Sequence, residues 1–479
     1  MNIAKINSTS STVTNIVFAF FPLSFIIGNL LININTLLII SLGIFQLKSK
    51  ILKTNFNLPI KIIFTFFLIL ILSTIVSSLN FFNINGYEYA EMERLMKSIL
   101  FFRFFLLILI IYLLIKNDIL KLDYFFVTAA AFPLLIAVDV IFQYFVGYNI
   151  IGLKGFSDHH IALGTFVSSF FGNELIAGGY IKNFSFFSIL FLALKFQNKQ
   201  YLRSIFCIIL ISLLASGILL SGNRMPFPLF LLGLFLLLFF GKDLKKIIFL
   251  GAIFIIIIFN VLMSYDQAKV YAYGGFQTKI KYSLSVIQKI VKGNEKKEYP
   301  KEGNLKSADK LVSDFDSFWK SAFNESKKEQ GGSSDHIELF LTAFDLWGEN
   351  KIIGGGIKSF RKNCGKLQQY KKDRMCSSHP HNYYLEILTD TGILGVLNIT
   401  AIGLLFMIFI FKNFEFLRNQ KKVNLILLAS VLSLFVELFP LRSSGSIFTT
   451  HNATYIIIIG SIILSYTSHI RSKSLANYN

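Results

Sequence analysis

Two histidines and an arginine are the residues of this chain whose types and positions could do chemistry. His379 and His381 flank a proline just before a long apolar run, and Arg224 stands in a short link between two other apolar runs. A histidine with a pKa of about 6.5 can take a proton from a hydroxyl at neutral pH, as a general base does. An arginine stays charged and offers a fork of donors that matches phosphate oxygens. These residue types indicate a site that activates a hydroxyl beside an anionic group.

Each of these residues also has a structural interpretation. A histidine before a helix is often a cap or a surface residue, and an arginine at a membrane boundary can extend its head group to lipid phosphate. His379, His381 and Cys376 could be ligands of a zinc ion, but this spacing lacks a fourth ligand. We predict no metal and no cofactor, and the structural alternatives stay open.

The elements that must position these residues are membrane helices. Of the 479 residues, 54% are hydrophobic and 15% charged. The apolar residues come in runs of about 17 to 25, long enough to cross a roughly 30 Å hydrocarbon layer as helices. We predict about 12 transmembrane helices, over residues 13–31, 33–47, 60–79, 98–115, 124–146, 179–196, 204–220, 226–240, 247–264, 383–411, 423–439 and 452–467.

The distribution of charge predicts the orientation of these helices. The formal net charge of +20 would suggest nucleic acid as the partner of a soluble protein, but here the basic residues concentrate in alternate short links. Such links stay in the cytoplasm. We therefore predict both termini in the cytoplasm, an uncleaved first span, membrane lipid as a partner and no nucleic acid.

One long hydrophilic insertion then lies on the outer, periplasmic side. It divides the chain into residues 1–264 with nine helices, residues 265–381 as a periplasmic loop domain, and residues 382–479 with three helices and a cytoplasmic tail. Residues 293–310 are rich in lysine and poor in apolar residues, which is typical of a disordered link. Residues 335–347 predict an amphipathic helix, ended by the glycines 354–356; its apolar face comprises Ile337, Phe340, Leu341 and Phe344.

Two of the three cysteines lie in this loop. Cys364 and Cys376 are twelve positions apart, and a periplasmic location permits a disulfide between them. Closing a loop of this length would contribute roughly 3 kcal/mol through loop-closure entropy. Two free thiols are the alternative. Cys207 falls in a predicted span and is interpreted as packing.

The predicted topology brings polar residues from separate links to the outer face. Loops held by a rigid helix bundle are common hosts for functional sites, and ionisable groups at a membrane are costly to place there without a role. The residues that converge are Glu174, Arg224, His379, His381, Arg442 and His451.

At these positions the chain resembles the O-antigen ligase and O-antigen polymerase family of bacterial envelope glycosyltransferases. The resemblance covers about residues 139–460. It depends on residues 381–386, 391–395, 221–224, 353–360 and 171–174, which read HNYYLE, TGILG, SGNR, IGGGIKSF and FGNE.

The resemblance implies a reaction and roles for residues. Family members transfer a glycan from an undecaprenyl diphosphate carrier to an acceptor on the periplasmic side, without a nucleotide sugar and without a catalytic metal. By resemblance, Arg224 binds the carrier diphosphate and stabilises it as leaving group. His381 deprotonates or orients the acceptor hydroxyl for an inverting displacement. His379, Asn382 and Glu174 are further candidates for substrate binding.

The chain departs from the family pattern at a second arginine. The position expected to hold it is His336, and no arginine stands shortly before Phe171. An uncharged imidazole does not replace a permanent cation. Lys358, Arg361 and Arg442 are the candidates to supply the missing charge, and we include His336, Arg361 and Arg442 among the predicted donor-binding residues.

The sequence as a whole predicts an all-α polytopic membrane protein, GT-C-like, in the bacterial inner membrane. Its predicted function is O-antigen ligase-like transfer of an undecaprenyl diphosphate-linked glycan to a lipid A-core or growing glycan acceptor. Polysaccharide polymerisation and protein O-oligosaccharide transfer are alternatives within the family. A transporter or flippase is the alternative from another class, because Asp139 and Arg103 within spans would suit a substrate pathway; a structural scaffold is a third. We interpret Asp139 and Arg103 as interior partners, with Gln143. The absence of an internal repeat favours the ligase.

Overall fold

The computed structural model describes residues 3–51, 53–54, 56–85, 89–154, 166–172, 174–265, 335–371, 374–419 and 421–476. The predicted disordered link at 293–310 lies outside them. The described residues are helical, apart from short 3-10 turns, loops and one isolated bridge between Tyr148 and Lys154. Their α-helices are α1 (Ile3–Ala19), α2 (Phe21–Ile27), α3 (Asn29–Leu47), α4 (Leu58–Asn85), α5 (Tyr89–Phe101), α6 (Arg103–Lys116), α7 (Asp123–Val146), α8 (Ala177–Lys195), α9 (Gln200–Leu220), α10 (Pro226–Phe240), α11 (Lys245–Tyr265), α12 (Asp335–Glu349), α13 (Ser359–Tyr370), α14 (Tyr383–Lys412), α15 (Phe414–Leu417), α16 (Lys422–Glu437) and α17 (Thr450–Ala476).

Eight helical segments within the described residues are long and apolar enough to cross a membrane. They are Asn29–Leu47, Leu58–Leu79, Ala90–Lys116, Asp123–Val146, Ala177–Lys195, Gln200–Leu220, Lys245–Tyr265 and Tyr383–Lys412. Helix α10 is apolar but shorter, and α16 has 16 residues. The chain is therefore an all-helical, multi-pass membrane protein as predicted, whereas the predicted number of about 12 spans is not confirmed.

The first predicted span, residues 13–31, is not one continuous helix, because the chain breaks there twice. Helix α1 ends at Ala19, and Pro22 lies in the first turn of α2. Proline has no N–H and cannot continue the hydrogen bonds of a preceding helix. Gly28 then takes a φ of 123° between α2 and α3. The hydropathy of the segment is uniform, so these breaks leave no trace in an apolar profile.

The links between helices gather at two opposite ends of the bundle. At one end, Lys50 Nζ lies 3.5 Å from Asn117 Oδ1, and Lys422 Nζ lies 2.6 Å from Asp123 Oδ1. These links are among those in which the basic residues concentrate. Helices α7 and α16 both begin at this end, so Glu437, the last residue of α16, lies at the other.

The residues interpreted as interior partners do not pair. Asp139 accepts hydrogen bonds from the backbone N–H of Ile150 (2.9 Å) and the hydroxyl of Ser169 (2.5 Å). Arg103 instead donates to the side-chain oxygen of Asn33 at 3.2 Å. The sequence left the pairing of these residues open; Asp139 is buried and Arg103 half-buried, and both Asp139 and Gln143 bond to Ser169. Asp139 acts as a scaffold for the loop between α7 and α8.

Helices α12 and α13 form a small unit against the start of α14. The predicted helix over 335–347 is observed as α12. Its buried side toward α13 comprises Leu339, Ala343 and Leu346, which pack with Phe360 and Cys364. Of the predicted apolar face, Leu341 is buried, Phe340 and Phe344 are half-buried, and the side chain of Ile337 lies outside the described part. The helix is therefore covered on more than one side.

A disulfide and an ion-pair cluster fasten the chain that follows α13. Cys364 and Cys376 are joined as a disulfide, with Cα atoms 5.2 Å apart. Asp345 on α12 accepts from Arg374 Nε at 2.6 Å and from Lys371 Nζ at 2.8 Å. These contacts fix the chain directly before the two histidines.

Candidate active site

Asn382 fixes the start of α14 and the chain on both sides of it. Its side-chain oxygen accepts hydrogen bonds from the N–H groups of Tyr384 (3.0 Å) and Leu385 (3.2 Å), as an N-cap residue does. Its amide nitrogen donates to the carbonyls of Pro440 (2.9 Å) and Arg442 (3.3 Å). With its side chain fully engaged, Asn382 positions the site rather than offering free groups to a substrate.

The two histidines lie directly before this cap. His381 takes a left-handed backbone conformation, with φ of 55°, and its carbonyl accepts from the N–H of Ser444 at 2.9 Å. Its ring lies 4.3 Å from the ring of His379, centroid to centroid, and His379 Nδ1 is 2.8 Å from the hydroxyl of Ser378. A non-glycine residue at positive φ is costly and is typical of functional sites.

The surroundings of both imidazoles favour their neutral form. Burial lowers the pKa of His381 below its usual value of 6.5, and burial together with the neighbouring His381 lowers the pKa of His379 to about 4. Desolvation disfavours the charged form of a histidine. A neutral imidazole can accept a proton, which is the property a general base requires.

Behind the histidines lies a buried ionic cluster. Glu437 Oε2 is 2.5 Å from Lys182 Nζ and 2.6 Å from Arg442 Nη1, and Glu437 Oε1 accepts from the hydroxyl of Tyr383 at 2.8 Å. The guanidinium of Arg442 also lies over the Tyr383 ring, 5.3 Å from its centroid. Although burial opposes it, the Glu437 carboxylate raises the pKa of Arg442. Arg442 is thus a permanent cation beside the histidine segment.

Arg224 stands in a turn that is docked on the segment before α8. Asn223 donates to the carbonyl of Leu175 at 2.8 Å and accepts from the N–H of Gly178 at 3.2 Å. Arg224 is exposed, and no acidic side chain of the described residues pairs with it. Glu174, beside Leu175, is also exposed. The structure therefore brings Glu174 and Arg224 to one surface.

Helix α8 connects this surface with the histidines. The Arg224 turn is bonded to the first turn of α8, and Lys182 lies about one and a half turns further along the same helix. Lys182 reaches Glu437 and hence Tyr383, two residues after His381. The two predicted catalytic residues therefore lie at the same end of the bundle.

The two glycine segments of the sequence form one interlocked unit beneath α13. Gly354 has φ of 80°, and a Cβ atom there would lie 2.4 Å from the backbone nitrogen of Gly392. Gly392, with φ of 62°, interrupts the helical geometry of α14. Asp390 caps α13, since its carboxylate accepts from the N–H groups of Lys358 (2.7 Å) and Ser359 (3.0 Å). The spacing of the glycines within each segment did not indicate that the two segments touch. Only the abundance of glycine in both segments pointed to a close backbone contact.

The candidates for the second cation occupy different environments. Arg361 is exposed on α13, and Lys358 is half-buried at φ of 61°. Burial lowers the pKa of Lys358. His336 lies in the first turn of α12, and its side chain is outside the described part of the structure. Arg442 contacts the segment that follows His381 through the ring of Tyr383 and the side chain of Asn382.

Cys376 cannot be the sulfur ligand of the zinc site considered from the sequence. The sulfur of Cys376 is bonded to Cys364 and offers no thiolate. Among the described residues, no group of three or more His, Cys, Asp and Glu side chains is arranged to hold a metal ion.

An apolar groove of about 610 Å³ begins beside the histidine segment. It lies between α4, α14, α16 and α17, whose side chains Phe66, Phe406, Leu434 and Ile457 line it. Tyr384 and Pro440 stand at the end nearest His381. The lining of the groove is mostly apolar, and Tyr383 and Tyr384, which follow the histidines, are part of its wall.

The fold and the site define a multi-pass helical membrane protein with a basic, histidine-containing site beside an apolar groove. Residues 208–400 match the model of the O-antigen ligase family. This match confirms the family predicted from the sequence, and it includes Arg224, both glycine segments and His381. The family carries glycosyltransferase or ligase activity on lipid-linked glycans and glycan acceptors. No curated protein matches the chain.

Proposed function

We propose that this protein transfers a glycan from undecaprenyl diphosphate to a hydroxyl of a lipid A-core or a growing glycan chain. The observation that carries this proposal is the position of the half-buried His381, two residues before Tyr383 and three before Tyr384, which line an apolar groove. A hydroxyl-activating base and a hydrocarbon-lined groove at one place suit a lipid-linked donor and a hydroxyl acceptor.

In the proposed reaction, His381 accepts the proton of the acceptor hydroxyl as its oxygen attacks the anomeric carbon. The bond between that carbon and the diphosphate oxygen breaks, and attack from the opposite side inverts the configuration. Negative charge grows on the departing diphosphate, where a cation lowers the barrier. Arg224 supplies this charge, because it is exposed and no described carboxylate neutralises it. No step in this scheme requires a metal.

Arg442 supplies the second cation that the family pattern places elsewhere. It contacts Tyr383 and Asn382, and its Nε is buried without a partner among the described residues. Its side chain is 14% exposed and is therefore accessible in part to a phosphate oxygen beside the histidines. Glu174, His379 and Arg361 are proposed to contact the glycans, and His336 stays a candidate.

The apolar groove is proposed to hold the first isoprene units of the donor. The end with the basic links would face the cytoplasm and the histidine end the periplasm of an inner membrane. This orientation places the diphosphate at the outer surface, where assembled envelope glycans are available.

The test is a transfer assay with purified protein in liposomes. A labelled undecaprenyl diphosphate oligosaccharide is the donor, and lipid A-core, a glycan and a Ser-containing peptide are supplied as separate acceptors. We expect kcat to fall about 100- to 10,000-fold in His381→Ala and about 100- to 1,000-fold in Arg224→Ala. Arg418→Ala, at the opposite end of the bundle, is the control and should transfer normally.

Undiminished transfer by both His381→Ala and Arg224→Ala would refute the proposed site. The acceptor that reacts distinguishes ligation from polymerisation and protein glycosylation. Transfer that persists after thorough chelation supports the metal-independent scheme, and its loss upon chelation contradicts it. Movement of the donor across the bilayer without transfer would support the flippase alternative instead.

A further inference from the structure

Glu437 is a buried carboxylate that holds two cations from different parts of the chain. Its side chain is 3% exposed, that of Lys182 is 2% exposed and that of Arg442 is 14% exposed. Arg442 Nη1 also donates to the backbone carbonyl of Glu437 at 2.8 Å. Lys182, Glu437 and Arg442 all lie outside residues 208–400, so the family match assigns them no role.

The segment that follows Glu437 is bonded to the histidine segment along its length. The hydroxyl of Tyr384 donates to the carbonyl of Leu438 at 2.5 Å. Glu386 accepts from the hydroxyl of Ser446 at 2.5 Å and from the N–H of Ile447 at 2.8 Å. Together with the bonds from Asn382 and to the carbonyl of His381, these contacts make residues 438–447 a support for residues 381–386.

Glu437 directly precedes residues 438–447 and fixes the start of this supporting segment. Its carboxylate bonds to Tyr383 on one side and to Arg442 on the other, while Lys182 ties it to α8. Burying three charges is costly, and a buried ion pair seldom stabilises a fold more than apolar residues would. The cluster therefore requires a reason other than stability. Its geometry supplies one, because every bond of Glu437 ends on a residue that orients the site.

We infer that Glu437 is a positioning residue for glycan transfer. It sets Arg442 and Tyr383 relative to each other and, through residues 440–444, fixes the left-handed backbone of His381. Lys182 is its counter-ion and links the histidine segment to the helix on which the Arg224 turn is docked. This inference rests on the proposed function, since it assumes that His381 and Arg442 act on the substrates.

The experiment separates positioning from stability by removing the buried charges in steps. Glu437→Gln leaves Lys182 and Arg442 without a counter-ion and should lower both Tm and kcat. Adding Lys182→Met removes the deepest uncompensated cation, so the double variant should regain most of its Tm. Its kcat should stay about 10- to 100-fold below wild type, because Arg442 and Tyr383 still lack their carboxylate.

Three further variants complete the test. Lys182→Met alone keeps the pair of Glu437 with Arg442, so its kcat should fall less than that of the double variant. Glu437→Asp keeps the charge but withdraws the carboxylate by one methylene, so kcat should fall while the protein stays folded. Glu415→Gln removes a carboxylate that pairs with Arg418 at the opposite end and is the matched control. Rates are measured with the labelled lipid-linked donor, per folded protein.

Wild-type kcat in both Glu437→Asp and the double variant would overturn the positioning role and leave the cluster a structural feature. His381→Ala and Arg224→Ala, assayed in parallel, distinguish this failure from failure of the proposed function. If these two variants are inactive while the Glu437 variants are fully active, only the inference about Glu437 fails.

Discussion

At the scale of single residues, the site is organised around a histidine whose chemistry is set by its surroundings. His381 is half-buried, and its backbone is held in a left-handed conformation between the Asn382 cap and Ser444. This conformation is maintained by contacts on both sides of the residue. Burial favours the neutral form of this imidazole by lowering its pKa, and the groove begins at the tyrosines that follow it.

The lowered pKa of His381 predicts how transfer depends on pH. The protonated imidazole cannot accept a proton, so kcat should fall as pH drops through the folded-state pKa. Because burial lowers this pKa from 6.5, the midpoint of the fall should lie below pH 6.5. The measurement is kcat for glycan transfer from about pH 4 to about pH 8, with Tm followed in parallel. An acid limb centred above 6.5 would contradict a buried, neutral base.

At the scale of elements, the interruption of α14 is what allows the chain between α12 and α13 to approach it. Gly392 departs from helical geometry, and the N–H groups of Ile393 and Leu394 donate to the carbonyls of Lys351 and Ile352 at 3.0 Å and 3.3 Å. Backbone that leaves the helical pattern at this point is satisfied by the neighbouring segment. The two glycine segments are therefore halves of one joint.

Substitution in this joint should destabilise the protein and disturb the site. In Gly354→Ala, the new Cβ would meet backbone atoms of α14 at a φ unfavourable for alanine, so we expect a loss of about 1–3 kcal/mol and reduced transfer. Thermal unfolding in detergent measures the effect. Gly348→Ala, where a Cβ meets nothing within 4 Å, is the control. Equal Tm values for the two variants would argue against the joint.

The disulfide gives a second prediction at this scale. Cys364 on α13 and Cys376 should resist alkylation until reductant is added, while the buried Cys207 should react only on unfolding. Replacing both loop cysteines by serine should cost roughly 2–4 kcal/mol, because the unfolded chain regains freedom. Mass spectrometry of the alkylated wild-type protein, before and after reduction and unfolding, measures the state of all three cysteines. Alkylation of both loop cysteines before reduction would show that they are free thiols.

At the scale of the whole molecule, the bundle has two chemically different ends. The lysine-rich links meet at one end, and the histidines, the Arg224 turn and the Glu437 cluster lie at the other. The groove runs into the bundle from the second end. This asymmetry suits an enzyme whose donor is anchored in the membrane and whose reacting bond lies at the surface.

The proposed orientation predicts which end of the helix bundle is accessible to a reagent outside the cell membrane. A membrane-impermeant maleimide should label Glu174→Cys without permeabilisation and Lys246→Cys only after it, because both side chains are exposed and lie at opposite ends. Spheroplasts carrying each variant in a Cys207→Ala background provide the measurement. Labelling in the reverse order would invert the proposed topology.

The sequence by itself determined the class of molecule and the segments of its site. Long apolar runs leave helices as the way to satisfy backbone groups in a membrane, and most predicted spans lie on observed helices. The segments that carry the histidines, Arg224 and the glycines were also recognisable, because their residue types are distinctive within short stretches. Breaks such as those at Pro22 and Gly28 were not, since hydropathy ignores them.

Only the tertiary structure decided which of these residues act together. Lys182 and Glu437 are 255 positions apart, and no local pattern can indicate such a pair. The contact of Gly354 with Gly392 and the separation of Asp139 from Arg103 depend in the same way on how helices pack. A sequence shows which side chains could carry charge or accept a proton, whereas their partners, burial and distances arise only when distant segments meet.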